Sequence, residues 1–560
     1  MKKINLLLSI VLTLTLLMGL TVFGASPNHP WPDAYERDER GVPQWPWERE
    51  EVEIDWFFSP SWYDFDWDTD ALWPGIVTEE TGISLNITVP PGDGGERLNA
   101  MIASGNLPDV ITTEAWMPQY QLLRDSGLME PLDPLFEKYA PGFLERYPQI
   151  IQDWYRADDG YFYAITNFFE VEPSVSMNPF FEAGNNFGMY VRGDLLDQID
   201  ATAEDFATEE GFINALRKFV EADIKTEDGQ RIFPILAHAE VIGSIENMFG
   251  SNYAIPREDV EGNYADRRTH PRALEAIKFA NRLVREGFIH PDNFTATDSQ
   301  VKDWRDSGRF FLEMTGLRDI SEDIVNQNDH IYYTPVEPLV YKEGEVPIST
   351  SSSTGWAVTL VNKEAENKEA IVRFIDYIFS NPIFDKFGIE GVSYNWREDG
   401  RLERTPEWYE FSEDQRKEEW GIDQFYWFRD SAIAKNYDIA SVTPSSRGEA
   451  EARKVRQHFL EYLHVGADNP WMGIEPGGGD PEAVIQTSID NYWEEQLTRM
   501  LVASSSEEVE TLYNNAIEKM EKMGLDDLND FMNEKFQANK ELLGIEGYAC
   551  PARKQAEGLL

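Results

Sequence analysis

No stretch constrains the fold of this chain more than Ala103-Ser104-Gly105-Asn106-Leu107-Pro108-Asp109-Val110-Ile111. Arg97, Leu98, Met101 and Ile102 stand at helical spacing ahead of a Gly stop and a Pro turn, and a short apolar strand begins behind Asp109. Upstream, the run from Val52 to Phe58 predicts a strand, Trp73 to Glu80 a helix, and Ile83 to Val89 an alternating strand. Strand and helix in alternation favour a parallel sheet, and an open α/β sheet offers its ligand crevice at the carboxyl ends of its strands. Those ends run into polar and aromatic residues: Ser59-Pro60-Ser61-Trp62-Tyr63 after the first strand and Thr112-Thr113-Glu114-Ala115-Trp116 after the third. Such a crevice suits small polar molecules.

Further short strands are expected from Tyr161 to Ile165, Met189 to Arg192, Arg309 to Met314 and Gly355 to Leu360. Helical apolar spacing recurs from Phe212 to Val220, Leu274 to Val284 and Lys368 to Phe379. The C-terminal part reads as helical, with Asp480-Pro481 as cap and first-turn Pro, and Ser505 with Glu508 as a capping box before a helix ending at Gly524. The polar run Ser349-Thr350-Ser351-Ser352-Ser353-Thr354 reads as a solvated loop feeding the strand at Gly355. The loop Pro90-Pro91-Gly92-Asp93-Gly94-Gly95 lacks the spacing of a Rossmann or P-loop fingerprint and carries Asp where a phosphate site wants Lys, so it is an ordinary turn.

A chain of 560 residues exceeds one hydrophobic core, so two or more lobes are expected. Lys2 and Lys3 precede an apolar stretch from Ile4 to Phe23, and Val22 and Gly24 fit a cleavage site before Ala25. The reading is a signal peptide over 1–24, with an uncleaved membrane anchor as the alternative; either way the body lies outside the cytoplasm, periplasmic or at the cell surface. The single cysteine, Cys550, excludes an internal disulfide framework and a Cys-rich metal site. A net charge of −52, spread along the chain, repels phosphate backbones and argues against nucleic acid as a partner. An acidic surface of this kind fits a salty environment, where ions screen self-repulsion, as in a halophilic protein. Seven histidines show no metal spacing, and there is no Gly-x-Ser-x-Gly elbow, so no catalytic, metal or cofactor residue is assigned.

Several motifs in order carry a family resemblance: Ala103 to Asp109; Gly127-Leu128-Met129-Glu130-Pro131-Leu132-Asp133 with Tyr139-Ala140-Pro141; and Val191-Arg192-Gly193-Asp194-Leu195-Leu196. They continue with Glu286-Gly287-Phe288-Ile289-His290-Pro291, Phe374-Ile375-Asp376-Tyr377, and Phe387 through Gly391 to Trp396. Together they make the chain resemble the family 1 extracellular solute-binding proteins of ABC importers, most closely the LipO- or LplA-like oligosaccharide-binding branch.

The resemblance implies an α/β, two-lobed periplasmic-binding-protein fold of type II-like form, with a hinge and C-terminal helices. The expected division is a leader at 25–50, a first lobe of 51–165 plus 298–346, a second of 166–297 plus 347–480, and helices and tail at 481–560. It also implies a monomer that captures a carbohydrate by hinge closure and delivers it to membrane permease subunits. A glycan receptor or sensor without transport is the alternative, and a carbohydrate-active enzyme the weaker third reading. The lipobox Cys of many relatives is replaced by Phe23-Gly24-Ala25, and the Asp223 to Gln230 loop, with Lys225 at a ligand position, is expected to bind no calcium. Sugars offer apolar faces and a rim of hydroxyls, so flat aromatics beside polar groups are the candidates. These are Trp56, Trp62, Tyr63, Glu114, Trp116, Asn167 and Phe168, with Trp304, Thr315, Trp356, Tyr394, Trp396 and Trp427 expected across the cleft.

Overall fold

The computed structural model describes residues 35–38, 40–92, 94–170, 188–236, 257–289, 293, 296–314, 317, 320–337, 348–381, 383–422, 424–428, 444, 446–477 and 479–558. The expected signal peptide and His290 lie outside them. The strands are β1 (Val52–Phe58), β2 (Ile83–Thr88), β3 (Val110–Glu114), β4 (Ile165–Thr166), β5 (Tyr190–Arg192), β6 (Phe233–Leu236), β7 (Phe310–Glu313), β8 (Tyr333–Pro335), β9 (Ser349–Ser351) and β10 (Ala357–Val361). Small two-stranded sheets add β11 (Tyr394–Trp396), β12 (Leu402–Arg404) and β13 (Leu463–Val465).

The first sheet has the order β2-β1-β3-β10-β4. β1 runs parallel to β2 and β3, as the alternation of strand and helix predicts, while β10 is antiparallel to β3 and β4. Helix Gly94–Ser104 buries Leu98 against this sheet and stops at Gly105, whose φ of +69° is open to a residue without Cβ. Asp109 then fixes the entry of β3: its carboxylate accepts from Asp55 N at 3.1 Å and its carbonyl from Asn362 N at 2.9 Å. The amphipathic helix Lys368–Phe379 closes one face with Ile371, Phe374, Ile375 and Ile378. Removing a buried ring such as Phe374 costs about 3–5 kcal/mol.

The second sheet, β6-β7-β5-β8, has its own core of Phe212, Leu216, Phe279, Leu283 and Phe311. Its strand pairings run against the expected division of the chain. β7 lies within 298–346 yet pairs with β5 and β6, and β10 lies within 347–480 yet pairs with β3 and β4. Both are short, wholly buried and mostly apolar runs, which carry no local mark of the sheet they join.

Two other expectations change. The leader is not free from Tyr35 onward: Tyr35 donates its hydroxyl to Asp376, Val42 is buried, and Tyr377 donates to Pro43 O at 2.7 Å. The C-terminal helices Pro481–Leu501, Ser506–Met523 and Leu525–Leu542 form as expected, but the capping box is offset. Ser505 Oγ accepts from Glu508 N at 3.2 Å, whereas the Glu508 carboxylate accepts from Ser504 N at 2.8 Å. These helices dock on the second core, where Asn281 Nδ2 donates to the carbonyls of Met500, Leu501 and Ala503. Among the described residues no helix is long and apolar enough to cross a membrane.

Candidate functional site

The register of the first sheet brings four separate segments to one edge. β1 and β3 end there, β10, running the other way, starts there with Ala357 opposite Glu114, and β4 ends there with Thr166 opposite Val358. The residues just beyond are therefore neighbours: Ser59 to Tyr63, Ala115-Trp116, Trp356 and Asn167-Phe168. Parallel strands with one antiparallel insertion make this convergence automatic.

Three indoles form a wall along this edge. Trp356 lies between Trp62, at 5.8 Å between ring centroids, and Trp116, at 6.2 Å with planes 29° apart. Trp62 is 57% and Trp116 52% exposed, unusual for the largest apolar side chain, so both present a face to solvent. Trp356 is pinned from behind: its carbonyl accepts from Ala115 N at 2.8 Å, and its ring packs 5.8 Å from Trp427. Glu114, half-buried, ends β3 next to this wall.

Asn167 is wholly buried and acts through the backbone. Its Oδ1 accepts from Ala357 N at 2.9 Å and from Trp356 N at 3.5 Å, fixing the turn that carries the central indole. Its Nδ2 is sealed without a hydrogen-bond partner among the described residues. Phe168 follows at φ +45°, a strained backbone for an aromatic residue, with its ring 5.2 Å from that of half-buried Tyr426.

The remaining aromatic candidates do not offer a face here. Trp56 is 1% exposed and donates Nε1 to Thr112 Oγ1 at 2.9 Å; it is core, because alternation along β1 turns it inward. Tyr63 is buried, donates to Gln424 O at 3.3 Å, and has its hydroxyl pKa pushed well up by burial. Trp427 is 1% exposed and supports the wall from beneath, 4.9 Å from Phe58 and 5.0 Å from Tyr63. In the stretch Gln424 to Phe428 it is Tyr426, not Trp427, that stays half exposed. Trp304 sits on helix Asp298–Asp306, which leads into β7, so its ring meets Phe233 at the amino ends of β6 and β7, at 4.6 Å. Tyr394 and Trp396 belong to the β11–β12 hairpin packed on the leader, where Glu390 N donates to Arg40 O, and no ring contact joins them to the tryptophan wall among the described residues. Thr315 lies outside the described residues.

The polar run at 349–354 is not a solvated loop. It leads from a small two-stranded sheet into the first sheet: β9 pairs with β13, Thr354 bridges Phe169, Glu170 N donates to Ser353 O at 2.9 Å, and β10 follows. Its serines are polar because the segment is gripped by side chains. Asn469 Oδ1 accepts from Ser353 N at 2.9 Å, and Asn469 Nδ2 donates to Ser353 Oγ at 2.8 Å. Beside it Asp468 Oδ1, Thr350 Oγ1 and Ser351 Oγ are sealed from solvent, and burial pushes the Asp468 carboxyl up to about 6. In the loop that resembles a calcium site, Lys225 Nζ lies 3.2 Å from the Asp223 carboxylate, and Gln230 Nε2 donates to Asp228 at 2.8 Å.

Two sheets, each with its own core, and exposed tryptophans at the carboxyl edge of β1 and β3 are the architecture of a two-lobed α/β protein. The chain belongs to the family described as bacterial extracellular solute-binding protein, which matches residues 67–383, more than half of its length. Members of this family are binding proteins that work outside the cytoplasm. Solved structures share the fold. The alginate-binding protein AlgQ2 is 15% identical, with TM-score 0.66 and 89% of this chain and 100% of that chain covered. The Streptococcus pneumoniae ABC-transporter substrate-binding protein FusA, in complex with kestose, is 15% identical, with TM-score 0.65, 88% and 100%. An HMO-binding, ABC-transporter-associated protein from Bifidobacterium longum infantis is 14% identical, with TM-score 0.59, 87% and 99%. No curated protein matches the chain in sequence.

Proposed function

We propose that this protein is the extracytoplasmic substrate-binding component of an ABC importer, and that it captures an oligosaccharide between its lobes by hinge closure. The observation that carries the reading is the wall of Trp62, Trp356 and Trp116 at the carboxyl edge of β1 and β3. Flat exposed indoles stack on the apolar faces of sugar rings, and Glu114 beside them can accept from hydroxyls. Family membership and structural neighbours named for alginate, kestose and HMO support it.

The crossing strands at 167–170 and 351–357 would flex, and the sugar would bridge the lobes and shift the population to the closed form that permease subunits recognise. Moving that equilibrium from 1:99 to 99:1 takes about 5.5 kcal/mol of differential binding. A thermal-shift screen over mono- and oligosaccharides tests the reading, because a ligand of the folded state alone must raise Tm. A panel in which no carbohydrate moves the melt refutes it.

A further inference from the structure

Helix Pro118–Asp125 begins two residues beyond Trp116 and buries Tyr120 and Leu123 in the first core. Gln121, between them, is half-buried, and its amide reaches a different part of the molecule: Nε2 donates to the carbonyl of Glu475 at 3.3 Å. A Cβ placed on Gly477 would lie 2.6 Å from Gln121 Oε1, so the approach depends on glycine at that position. Lys535 Nζ donates to the same Glu475 carbonyl at 3.4 Å and stands within electrostatic range of Arg124 and Asp125 on the Gln121 helix.

The Glu475-Pro476-Gly477 turn moves with the C-terminal helices, because it is tied to them at both ends. Asn539 Nδ2 donates to the carbonyls of Pro470 and Met472, both at 3.1 Å, Trp471 stacks on Phe536 at 5.4 Å, and Ile474 is buried in the helical core. Gly477 N donates to Asp480 Oδ2 at 2.8 Å, which fastens the turn to the start of helix Pro481–Leu501. Those helices are in turn docked on the second core through Asn281. The Gln121 amide therefore links the first core to the body that rides on the second, through space and beside the tryptophan wall. A single half-buried hydrogen bond is weak enough to be made and broken on opening.

Resting on the hinge-closure reading, we propose that Gln121 and the Glu475-Pro476-Gly477 turn form a latch between the two lobes, made in this structure and broken when the lobes part. Ligand and latch then favour the same closed form, so each strengthens the other. Weakening the latch lowers the population competent to bind, and every ligand loses affinity by the same factor.

The test has two arms, both on the full chain. In the first, the double variant Q121C/G477C is oxidised without ligand, with each single variant as control; Cys550, the one native cysteine, is buried and stays out of the reaction. A Cβ at 477 would lie 3.7 Å from Gln121 Cδ, so a disulfide is expected to form. Small-angle X-ray scattering should then show the bridged form more compact than the reduced one. Identical scattering from the two forms overturns the latch, and so does a folded double variant in which no bridge forms. In the second arm, kestose, maltotriose and mannotriose are titrated calorimetrically into the wild type, Q121A and G477A. The φ of Gly477 lies outside the left-handed region, so alanine there displaces the Gln121 amide and not the backbone. A sugar that binds the wild type should bind each variant about 2- to 12-fold more weakly, the factor of one net hydrogen bond. Equal affinity in both variants overturns the latch and leaves the sugar-binding reading standing. If none of the three sugars binds the wild type, that counts against the sugar-binding reading, and the scattering arm alone decides the latch.

Discussion

Replacing Trp62 or Trp116 by Ala removes a surface that the folded protein does not use for its own packing. An aromatic side chain buries about 150–250 Å² when fully covered, and these two are 57% and 52% exposed. Roughly 100 Å² of each indole is thus open, and a sugar covering one face takes about half of that. At ~25 cal/mol per Å², this stacking is worth about 1.25 kcal/mol, or about eightfold in Kd per tryptophan. Calorimetric titration with the oligosaccharide that raises Tm most should show that loss for W62A and for W116A. Both rings touch Trp356, so the double variant should depart from simple additivity. Stability should move by less than about 1 kcal/mol, as for other exposed sites. Unchanged affinity in both single variants, with the fold intact, would refute the stacking argument.

Three further outcomes are expected. N167A leaves Ala357 N and Trp356 N without their buried acceptor, so it should lower stability by about 1–3 kcal/mol in denaturant melts and weaken sugar binding too. W396A should leave affinity unchanged, since that ring lies on the β11–β12 hairpin; a tenfold loss would move the site to that hairpin. Asp468, raised to about 6 by burial, holds its proton more tightly in the folded than in the unfolded chain. Its contribution to stability is therefore full below about pH 4 and is lost as pH rises through 6. D468N should raise Tm near neutral pH, by an amount corresponding to about 1–3 kcal/mol, and not below pH 4; an equal effect at both would exclude the titration.

The sequence pattern made the β1-helix-β2-helix-β3 unit legible, because each element is local and its apolar period is unambiguous. From that unit alone the carboxyl edge, and with it Trp62, Trp116 and Glu114, could be placed. Trp356, expected across the cleft, stands instead on the same edge, because β10 pairs with β3 and a strand start can share an edge with strand ends. Trp56, Tyr63 and Trp427 were misplaced for a common reason: which of two adjacent rings turns inward depends on one residue of phase, and phase is set by packing. Trp304 needed the direction of β7 within its sheet, a long-range fact. The Ser349 to Thr354 run had the composition of a solvated loop, and its burial follows from Asn469, more than a hundred residues away.

The most direct measurement is a crystal structure of the protein with an oligosaccharide that binds in solution. Sugar rings packed on Trp62, Trp356 and Trp116, with the two sheets drawn together about the crossing strands at 167–170 and 351–357, are the expected result. A sugar seated away from the carboxyl edge of β1 and β3, with those indoles still open to solvent, would contradict the account.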